Sequence, residues 1–283
     1  MKINEKKKSR KNKKGKFREK VIRRKEKMKN WMKKLSVVVA AMVMVVGLAS
    51  CGGGGEATVY KAAMEPTFPP FDTTDDEGNL SGFDYDMLNA IGEDQGFTVE
   101  WSNIGFDGLI PAVQSGTVDI IASGMWANDE RKEVVDFTDT YFDSGLVVAV
   151  EKNNNTIKSI DDLTADMKVA AQIGTSSCDL VQKLAEEGKI KEAKIYDKVN
   201  DAVMDVKNGT VQALINDKPV TLEYIAQQPD SIKVVGDVLN KEQYGMAVAK
   251  GNTELLEKLN TGLANIIEDG TFQELLEKWN LAE

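Results

Sequence analysis

The sequence DIIASGMWANDERKEVVDFTDTYFDSG at residues 119–145 changes character twice within a few positions. It continues an apolar run, VDIIA at residues 118–122, which predicts a buried strand. Small and aromatic residues, Ser123 to Trp126, follow at once, and a dense run of charges begins at Asp129. In α/β proteins, ligands bind outside the carboxyl ends of strands. The stretch therefore predicts an α/β fold with a ligand site next to this strand.

Upstream of this strand, short β-rich runs alternate with helical patterns. Strands are predicted at residues 58–63 and 98–101, and helices at residues 83–95 and 107–114. Together with the strand at 118–122, the order is βαβαβ. This order favours a mostly parallel sheet with helices on its faces.

The same alternation starts again after residue 145, which predicts a second α/β lobe. Two amphipathic helices, at residues 254–268 and 271–279, are predicted near the C-terminal end. The other predicted elements are strands at 146–150, 168–171, 193–196, 211–216 and 232–235, helices at 177–187, 200–208 and 218–227, and an extended segment at 244–249.

Four of the predicted strands are followed directly by small, hydroxylated, charged or aromatic residues. Ligands often bind at strand ends and between domains, so these residues predict a polar cleft with aromatic walls. The four segments are MEPTF at 64–68, SGMW at 123–126, QIGTS at 172–176 and ND at 216–217.

The net charge of −9 over 283 residues conceals two opposite parts of the chain. Residues 1–50 hold 18 of the 36 basic residues, whereas the remainder holds 18 basic and 42 acidic residues. This acidic body argues against a nucleic-acid partner, because nucleic-acid binding needs a basic face. The absence of histidine excludes histidine-based catalysis and histidine-ligated metals. No metal and no cofactor is predicted.

The N-terminal region is typical of a secretion signal. Residues 35–49, LSVVVAAMVMVVGLA, form an apolar run of 15 residues, shorter than the roughly 20 that span a membrane. The run leads into Leu48-Ala49-Ser50-Cys51, which resembles the bacterial lipobox, whose cysteine receives a diacylglycerol before cleavage. We expect removal of residues 1–50, lipidation of Cys51, and a flexible tether at residues 51–56. The alternative is a short membrane anchor with a bystander cysteine.

The first 27 residues are longer and more basic than an ordinary signal sequence requires. Translation from Met28 is one explanation, and a long cytoplasmic tail is the other. In either case, the expected location of the mature chain is the outer face of the cytoplasmic membrane.

Between about residues 57 and 280 the chain resembles the family 3 solute-binding proteins, the polar amino acid binders of ABC importers. The strongest likeness is residues 119–145, with their strand, glycine turn, Glu-Arg-Lys run and Asp-Phe-Thr-Asp-Thr-Tyr motif. Supporting segments are residues 66–71, Gly82-Phe83-Asp84 with Asp86, residues 106–113 (FDGLIPAV), Gly174-Thr175-Ser176 and Gln243-Tyr244-Gly245.

The resemblance implies a type II two-lobed periplasmic-binding-protein-like fold, in which each lobe is a mostly parallel sheet flanked by helices. It implies a non-enzymatic lipoprotein that captures a polar or cationic amino acid and delivers it to an ABC permease and its ATPase. The expected boundaries are 57–140 plus 246–283 for lobe 1, 146–239 for lobe 2, and 141–145 plus 240–245 for the two hinge crossovers.

The resemblance also implies roles for residues of the cleft. Arg131 matches the arginine that binds the ligand's α-carboxylate through two parallel hydrogen bonds. Asp217 matches the second-lobe acid that binds the α-ammonium, and Glu65 matches the residue nearest the tip of the ligand's side chain. The other matched residues are the carboxylate donors Ser123, Gly124, Thr175 and Ser176 and the enclosing rings Phe68 and Phe106.

Two positions depart from the family's pattern. Trp126 stands where a hydroxyl residue often donates to the carboxylate, so one donor is replaced by a potential third aromatic wall. Gln172 stands where some members have a lysine or a hydrophobic residue, so it does not define the preferred side chain. Glu65 favours a ligand with a donor or cation at its tip, such as arginine, lysine, glutamine or cystine, and aromatic walls suit a cation.

Simpler interpretations exist for the same residues. Arg131 lies in a charge run that is ordinarily a solvated helix face, Asp217 suits a helix N-cap, and Phe68 and Phe106 suit a plain core. Two rival functions also stay open. Cyclohexadienyl dehydratases resemble the same fold and would use an acid such as Glu65 or Asp217, and a ligand sensor would act through a separate receptor.

Overall fold

The computed structural model describes residues 58–282. The predicted signal sequence, the lipidated Cys51 and the tether lie outside this range. The described part of the chain contains 14 strands and eight α-helices, as a mixed α/β fold requires. No helix within residues 58–282 has the length and apolar character needed to cross a bilayer.

The first ten elements lead up to the middle of the chain. They are β1 (Thr58–Met64), β2 (Thr73–Thr74), β3 (Leu80–Ser81), α1 (Phe83–Gln95), β4 (Phe97–Asn103), α2 (Phe106–Gln114), β5 (Ile120–Ile121), α3 (Asp129–Val134), β6 (Val135–Phe137) and β7 (Phe142–Ser144).

The remaining elements begin with the strand that opens the second sheet. They are β8 (Leu146–Glu151), β9 (Lys168–Gln172), α4 (Ser176–Glu186), β10 (Glu192–Tyr196), α5 (Val199–Lys207), β11 (Ala213–Asp217), α6 (Lys218–Gln227), β12 (Ile232–Val235), β13 (Glu242–Tyr244), β14 (Ala247–Ala249), α7 (Thr253–Glu268) and α8 (Thr271–Lys278). A short 3-10 helix, Ile160–Asp162, lies between β8 and β9.

Two five-stranded sheets carry the two lobes. The first has the order β4-β1-β5-β14-β6, and the second has the order β10-β9-β11-β8-β12. In each sheet the fourth strand, β14 or β8, is antiparallel to both of its neighbours. The other four strands of each sheet run in one direction. The predicted mostly parallel α/β architecture with two lobes is therefore confirmed.

A short antiparallel ribbon of β7 and β13 lies where the chain passes between the sheets. It pairs Glu242 with Ser144 and Tyr244 with Phe142. β7 directly precedes the second sheet, whereas β13 leads the chain back to β14 of the first sheet. The C-terminal helices α7 and α8 then pack against α1. The first lobe is thus completed by the last part of the chain.

Helix α1 shows how the hydrophobic pattern builds this lobe. Phe83, Met87, Leu88 and Ile91 recur at helical spacing, and all four are fully buried. Burial of each such side chain contributes about 1.5–3 kcal/mol. The helix ends at Gly96, whose φ of 74° suits a residue without a side chain.

The structure departs from the predicted elements in a few places. The strand expected at 118–122 is reduced to Ile120–Ile121. The extended segment at 244–249 is divided between β13 and β14, because the chain leaves the ribbon at Tyr244 and the Gly245 N–H bonds to the Met125 carbonyl at 3.1 Å. The regular ladder of a continuous antiparallel strand is broken at this crossing.

Candidate functional site

The loops after β1, β5, β9 and β11 meet between the two sheets. Hydrogen bonds join residues that belong to different lobes. Arg131 Nη2 donates to the Gly174 carbonyl at 2.9 Å, and Gln172 Nε2 donates to Glu65 Oε2 at 3.1 Å. We refer to the region between the two sheets that these loops border as the groove.

Arg131 is positioned by the single turn of helix α3. Asn128 caps this turn, since its side chain accepts the Arg131 backbone N–H at 2.8 Å. The guanidinium donates to the carbonyls of Trp126 and Gly174, both at 2.9 Å, and lies 5.4 Å from the centre of the Phe106 ring. The charge run thus directs its arginine into the groove and not only toward solvent.

Acidic residues of the described chain lie near the guanidinium of Arg131 but form no direct ion pair with it. Burial lowers the pKa of Arg131, whereas the charges of Glu242 and Asp217 raise it. None of the ion pairs within 4.0 Å among residues 58–282 involves this guanidinium. Arginine has five donors in a planar fork, so several of them stay available for a carboxylate.

Asp217 lies at the end of β11, directly before helix α6. It occupies the N-cap position, but its side chain accepts no backbone N–H of the helix. Its Oδ1 instead accepts hydrogen bonds from the Tyr244 hydroxyl and, at 3.3 Å, from the Ser144 hydroxyl. Burial and the neighbouring charge of Glu242 raise the pKa of Asp217 well above its ordinary value. A helix-capping role therefore does not explain why Asp217 is buried at this position.

Glu242 is a site residue that the sequence analysis did not identify. It is 2% exposed, and its Oε1 accepts hydrogen bonds from Ser176 Oγ at 2.5 Å and Asn240 Nδ2 at 3.0 Å. Ser176, a predicted carboxylate donor, begins helix α4. No local signal in the sequence identifies Glu242, because its hydrogen bond with Ser176 joins residues that are 66 positions apart.

Glu65 and Gln172 form the opposite end of the groove. Glu65 is 3% exposed and accepts hydrogen bonds from Thr67 Oγ1 at 2.8 and 2.9 Å as well as from Gln172. Burial raises the pKa of Glu65, and the bonds from Thr67 and Gln172 oppose this rise. The Gln172 Oε1 is buried and has no partner within the described range. Tyr224 closes this end from the second lobe, donating to the Thr67 carbonyl at 2.9 Å.

The predicted aromatic walls are buried rings at two sides of the groove. Phe68 and Phe106 are 6% and 8% exposed. Phe68 packs so closely on Gly124 that a Cβ there would lie 2.8 Å from the ring, and Gly124 has a φ of +48°. Trp126 is partly exposed and pairs with Tyr244 through the backbone.

Trp126 also lines a cavity of about 980 Å³ at the side of the β7–β13 ribbon. Glu242 and Ser144 line the same cavity, which Leu222 and Lys218 also border. Apart from Trp126, none of the predicted site residues lines it.

All four predicted carboxylate donors have partners within the protein, and the partner of Ser176 is Glu242. The Ser123 hydroxyl donates to Asp72 Oδ2 at 3.1 Å, and the Gly124 N–H donates to Asp84 Oδ2 at 2.6 Å. The Thr175 hydroxyl donates to the Gln172 carbonyl at 2.6 Å. Their hydrogen bonds position the loops that carry Glu65, Arg131 and Ser176.

Asp72 and Asp84 form a buried acid pair beneath the loop at 123–124. Both are 0% exposed, and each has one carboxyl oxygen without a partner among the described residues. Burial raises the pKa of Asp84 to about 7. Burial and the charge of Asp84 raise the pKa of Asp72 well above its ordinary value. The sequence analysis placed Asp84 in a motif but did not predict its support of the glycine turn.

The fold and the groove define a class, the two-lobed extracellular binding proteins. Residues 60–282 match the bacterial extracellular solute-binding proteins, family 3, and the chain belongs to this family. The resemblance inferred from the sequence is therefore confirmed.

Individual relatives agree with this assignment. A probable histidine-binding protein of Neisseria gonorrhoeae is 30% identical over 265 residues, which cover 89% of this chain and 96% of the relative. Putative ABC transporter arginine-binding protein 2 of Escherichia coli strain K12 is 32% identical over 249 residues, which cover 86% and 98%.

Among solved structures, an ancestral arginine-binding protein bound to arginine has a TM-score of 0.75 and 42% identity, covering 78% of this chain and 97% of that one. These relatives are named as binding proteins and not as enzymes, which supports a binding role over the dehydratase alternative.

The substitution Asp84→Asn tests the buried acid pair. The folded protein binds a proton at Asp84 more tightly than the unfolded chain, so this group contributes stability at low pH that is lost as pH rises from about 4 to about 7. The asparagine of the variant does not titrate, so the variant's stability deficit should shrink over this range, by up to about 4 kcal/mol. Urea unfolding at several pH values measures the difference.

Asp76→Asn, at an exposed acid of the same loop region, serves as the control and should show a constant difference from the wild type. Parallel pH profiles for Asp84→Asn and the wild type would show that Asp84 is ionised in the folded protein at low pH.

Proposed function

We propose that this chain is the receptor of an ABC importer for a cationic amino acid, with arginine as the first candidate. The observation that carries the proposal is the distribution of charge in the groove. The groove contains one guanidinium, from Arg131, and three buried acids, Glu65, Asp217 and Glu242. Such a groove suits a ligand with one carboxylate and two cationic groups.

At one end of the groove, the ligand's carboxylate would lie against Arg131 and Ser176. Arginine binds carboxylates through parallel charge-assisted hydrogen bonds, which fix the orientation as well as the position of the group. The α-ammonium would lie against Asp217 of the other lobe. A zwitterion thereby has a partner of opposite charge on each lobe.

At the other end, the tip of the ligand would lie against Glu65 and Gln172. The Glu65 carboxylate and the unpartnered Gln172 Oε1 are both acceptors. A guanidinium has five donors and an ammonium three, whereas the amide of glutamine has two. This pair of acceptors favours arginine or lysine, and the arginine-binding relatives support the same class.

Ligand capture would be coupled to closure of the two lobes. We propose lobe 1 at residues 57–140 and 246–283, lobe 2 at 146–239, and hinge segments at 141–145 and 240–245. Closure would bury the ligand's charges with their partners, so binding and closure form one equilibrium. The contacts from Arg131 to Gly174 and from Tyr224 to Thr67, at 2.9 Å each, support such a closed state.

We further propose that Cys51 is lipidated after removal of residues 1–50 and holds the protein at the outer face of the cytoplasmic membrane. The support is the sequence Leu48-Ala49-Ser50-Cys51 after an apolar run of 15 residues. An anchored receptor stays close to the permease and ATPase to which it would deliver its ligand.

Arg131→Ala and Asp217→Ala test the two ends of the zwitterion. Each leaves one ligand charge buried without a partner, which costs roughly 2–5 kcal/mol, or about 30- to 3000-fold in affinity for arginine. Isothermal titration calorimetry measures the loss. The neighbouring Lys132→Ala, at a half-exposed side chain, should bind as the wild type does. Near-normal binding by both site variants would refute the assignment.

Glu65→Gln tests the preference for a cationic ligand. The variant keeps the size of the side chain and its hydrogen bonds to Thr67 but removes the charge, so arginine affinity should fall about tenfold or more. Glutamine affinity should change much less, because an amide tip does not need the carboxylate's charge. A thermal-shift screen of all proteinogenic amino acids, with ornithine and cystine added, ranks the ligands. An unchanged ranking would contradict the proposed role of Glu65.

Cys51→Ser tests the lipid anchor. In a bacterial host fed with labelled fatty acid, the wild type should carry the label and sediment with membranes, whereas the variant should lose the label. Cys178→Ala is the control, since this buried cysteine lies in the second lobe. Label retained in Cys51→Ser would rule out lipidation at this position.

A further inference from the structure

Glu242 lies at the first position of β13, on the ribbon between the two sheets. Its side chain is 2% exposed, although the groove already has Asp217 as a partner for an ammonium. A buried carboxylate is unfavourable unless donors or opposite charges surround it. Folding alone therefore does not explain why a carboxyl group is buried at residue 242.

Glu242 lies opposite Ser144 in the ribbon, and the Ser144 hydroxyl donates to Asp217 Oδ1 at 3.3 Å, so the side chains of Glu242 and Asp217 are neighbours. Two buried acids that are close together cannot both be ionised without a cost, because their charges repel each other. Burial and the charge of Glu242 raise the pKa of Asp217, so a proton on Asp217 is favoured when no ligand is bound.

All the hydrogen-bond donors around this pair bond to one oxygen of each carboxyl group. Tyr244 and Ser144 donate to Asp217 Oδ1, and Ser176 and Asn240 donate to Glu242 Oε1. Among the described residues, no hydrogen bond reaches Asp217 Oδ2 or Glu242 Oε2. One acceptor atom on each carboxyl group is thus left for a further donor.

Arg131 faces the pair from helix α3. The charge of Glu242 is the first of the acids that raise the pKa of Arg131, and the charge of Asp217 is the second. The loop that follows β9 links this arginine to the acid pair, since Gly174 accepts a hydrogen bond from Arg131 and Ser176 donates one to Glu242. This arrangement matches the carboxylate and the ammonium of one amino acid.

We propose that Glu242 is a ligand-binding residue, and that Glu242 and Asp217 together bind the α-ammonium, with loss of a proton from Asp217. The inference rests on the proposed function, since it concerns the same groove. The ammonium donates to the two free acceptor atoms, both carboxyl groups become carboxylates, and the displaced proton leaves to solvent. Ligand binding is therefore coupled to release of one proton.

The direction of the pH dependence follows from the groups that face Asp217. These are Glu242 and Tyr244 from β13, Arg131 from α3 and the uncharged Ser144 from β7. Burial and Glu242 raise the pKa of Asp217 well above its ordinary value, which favours a proton on Asp217 in the ligand-free protein. A bound ammonium favours the carboxylate and lowers this pKa, so affinity rises with pH.

A purely structural role of Glu242 can be distinguished from a ligand-binding role. If Glu242 served only to fix Ser176 and Asn240, Glu242→Gln would preserve it, because the amide oxygen accepts the same two hydrogen bonds. The negative charge that raises the pKa of Asp217, by contrast, is lost in this variant. The pH profile of binding separates the two roles.

The experiment is calorimetric titration of arginine between about pH 5.5 and pH 8.5, in pairs of buffers that differ in ionisation enthalpy. The wild type should release up to one proton, with affinity rising by as much as about tenfold per pH unit. Glu242→Gln should bind about tenfold more weakly or worse at the upper end of the range, with a flat profile and no proton release. Asp143→Asn, at an exposed acid of the same ribbon, should match the wild type.

Glu242→Asp is the second variant and keeps the carboxyl group at a shorter reach. It should bind more weakly than the wild type but still release a proton. Proton release and a wild-type pH profile in Glu242→Gln, or tighter binding by that variant, would overturn the inference while leaving the proposed function intact. A wild type that binds no amino acid at any pH would overturn the proposed function itself.

Discussion

The contact between Tyr244 and Asp217 ties the three parts of the molecule together. Tyr244 belongs to the ribbon between the sheets and is fully buried. Its ring packs against Phe71 of the first lobe at 5.1 Å and Phe142 of the ribbon at 5.9 Å, between ring centres. Its hydroxyl donates to Asp217 of the second lobe. Asp217 is thus held by the aromatic cluster at the point where the lobes join, so its position depends on how the lobes are arranged.

Buried acids are the main electrostatic constraint on this fold. Glu65, Asp72, Asp84, Asp217 and Glu242 are all at most 5% exposed, in a body that is already strongly acidic. Burial of carboxyl groups costs free energy unless they hold protons or find donors. The pair Asp72 and Asp84 lowers this cost in two ways: its raised pKa favours protonated carboxyl groups, and the loop at 123–124 supplies hydrogen-bond donors. The acids that face the groove each accept two or more hydrogen bonds from neutral donors of the protein, and a cationic ligand would supply the positive charge that these donors lack.

Sequence pattern predicted most of the fold, because buried strands and amphipathic helices have distinct periods. Helix 83–95 and strand 232–235 have the bounds that the sequence predicts. The short elements could not be predicted in this way. The six residues of α3 and the three residues of β13 are too few to show a periodic hydrophobic pattern, and tertiary contacts define them. For the same reason Glu242 was missed, since nothing local shows that it meets Asp217 after the chain returns.

The cost of burying carboxyl groups also explains why closure of the lobes and selection of the ligand by its charge would be one event. Without a ligand, closing the groove removes Asp217 and Glu242 from water while Arg131 is the one nearby cation of the described chain that faces them. An anionic ligand would leave both acids in a low-dielectric site next to a further negative charge, which is strongly unfavourable. A ligand with an ammonium beside its carboxylate satisfies the arginine and the acid pair at once. In the proposed function, the ribbon-side end of the groove recognises the α-carboxylate and α-ammonium of any amino acid, and Glu65 and Gln172 discriminate among side chains.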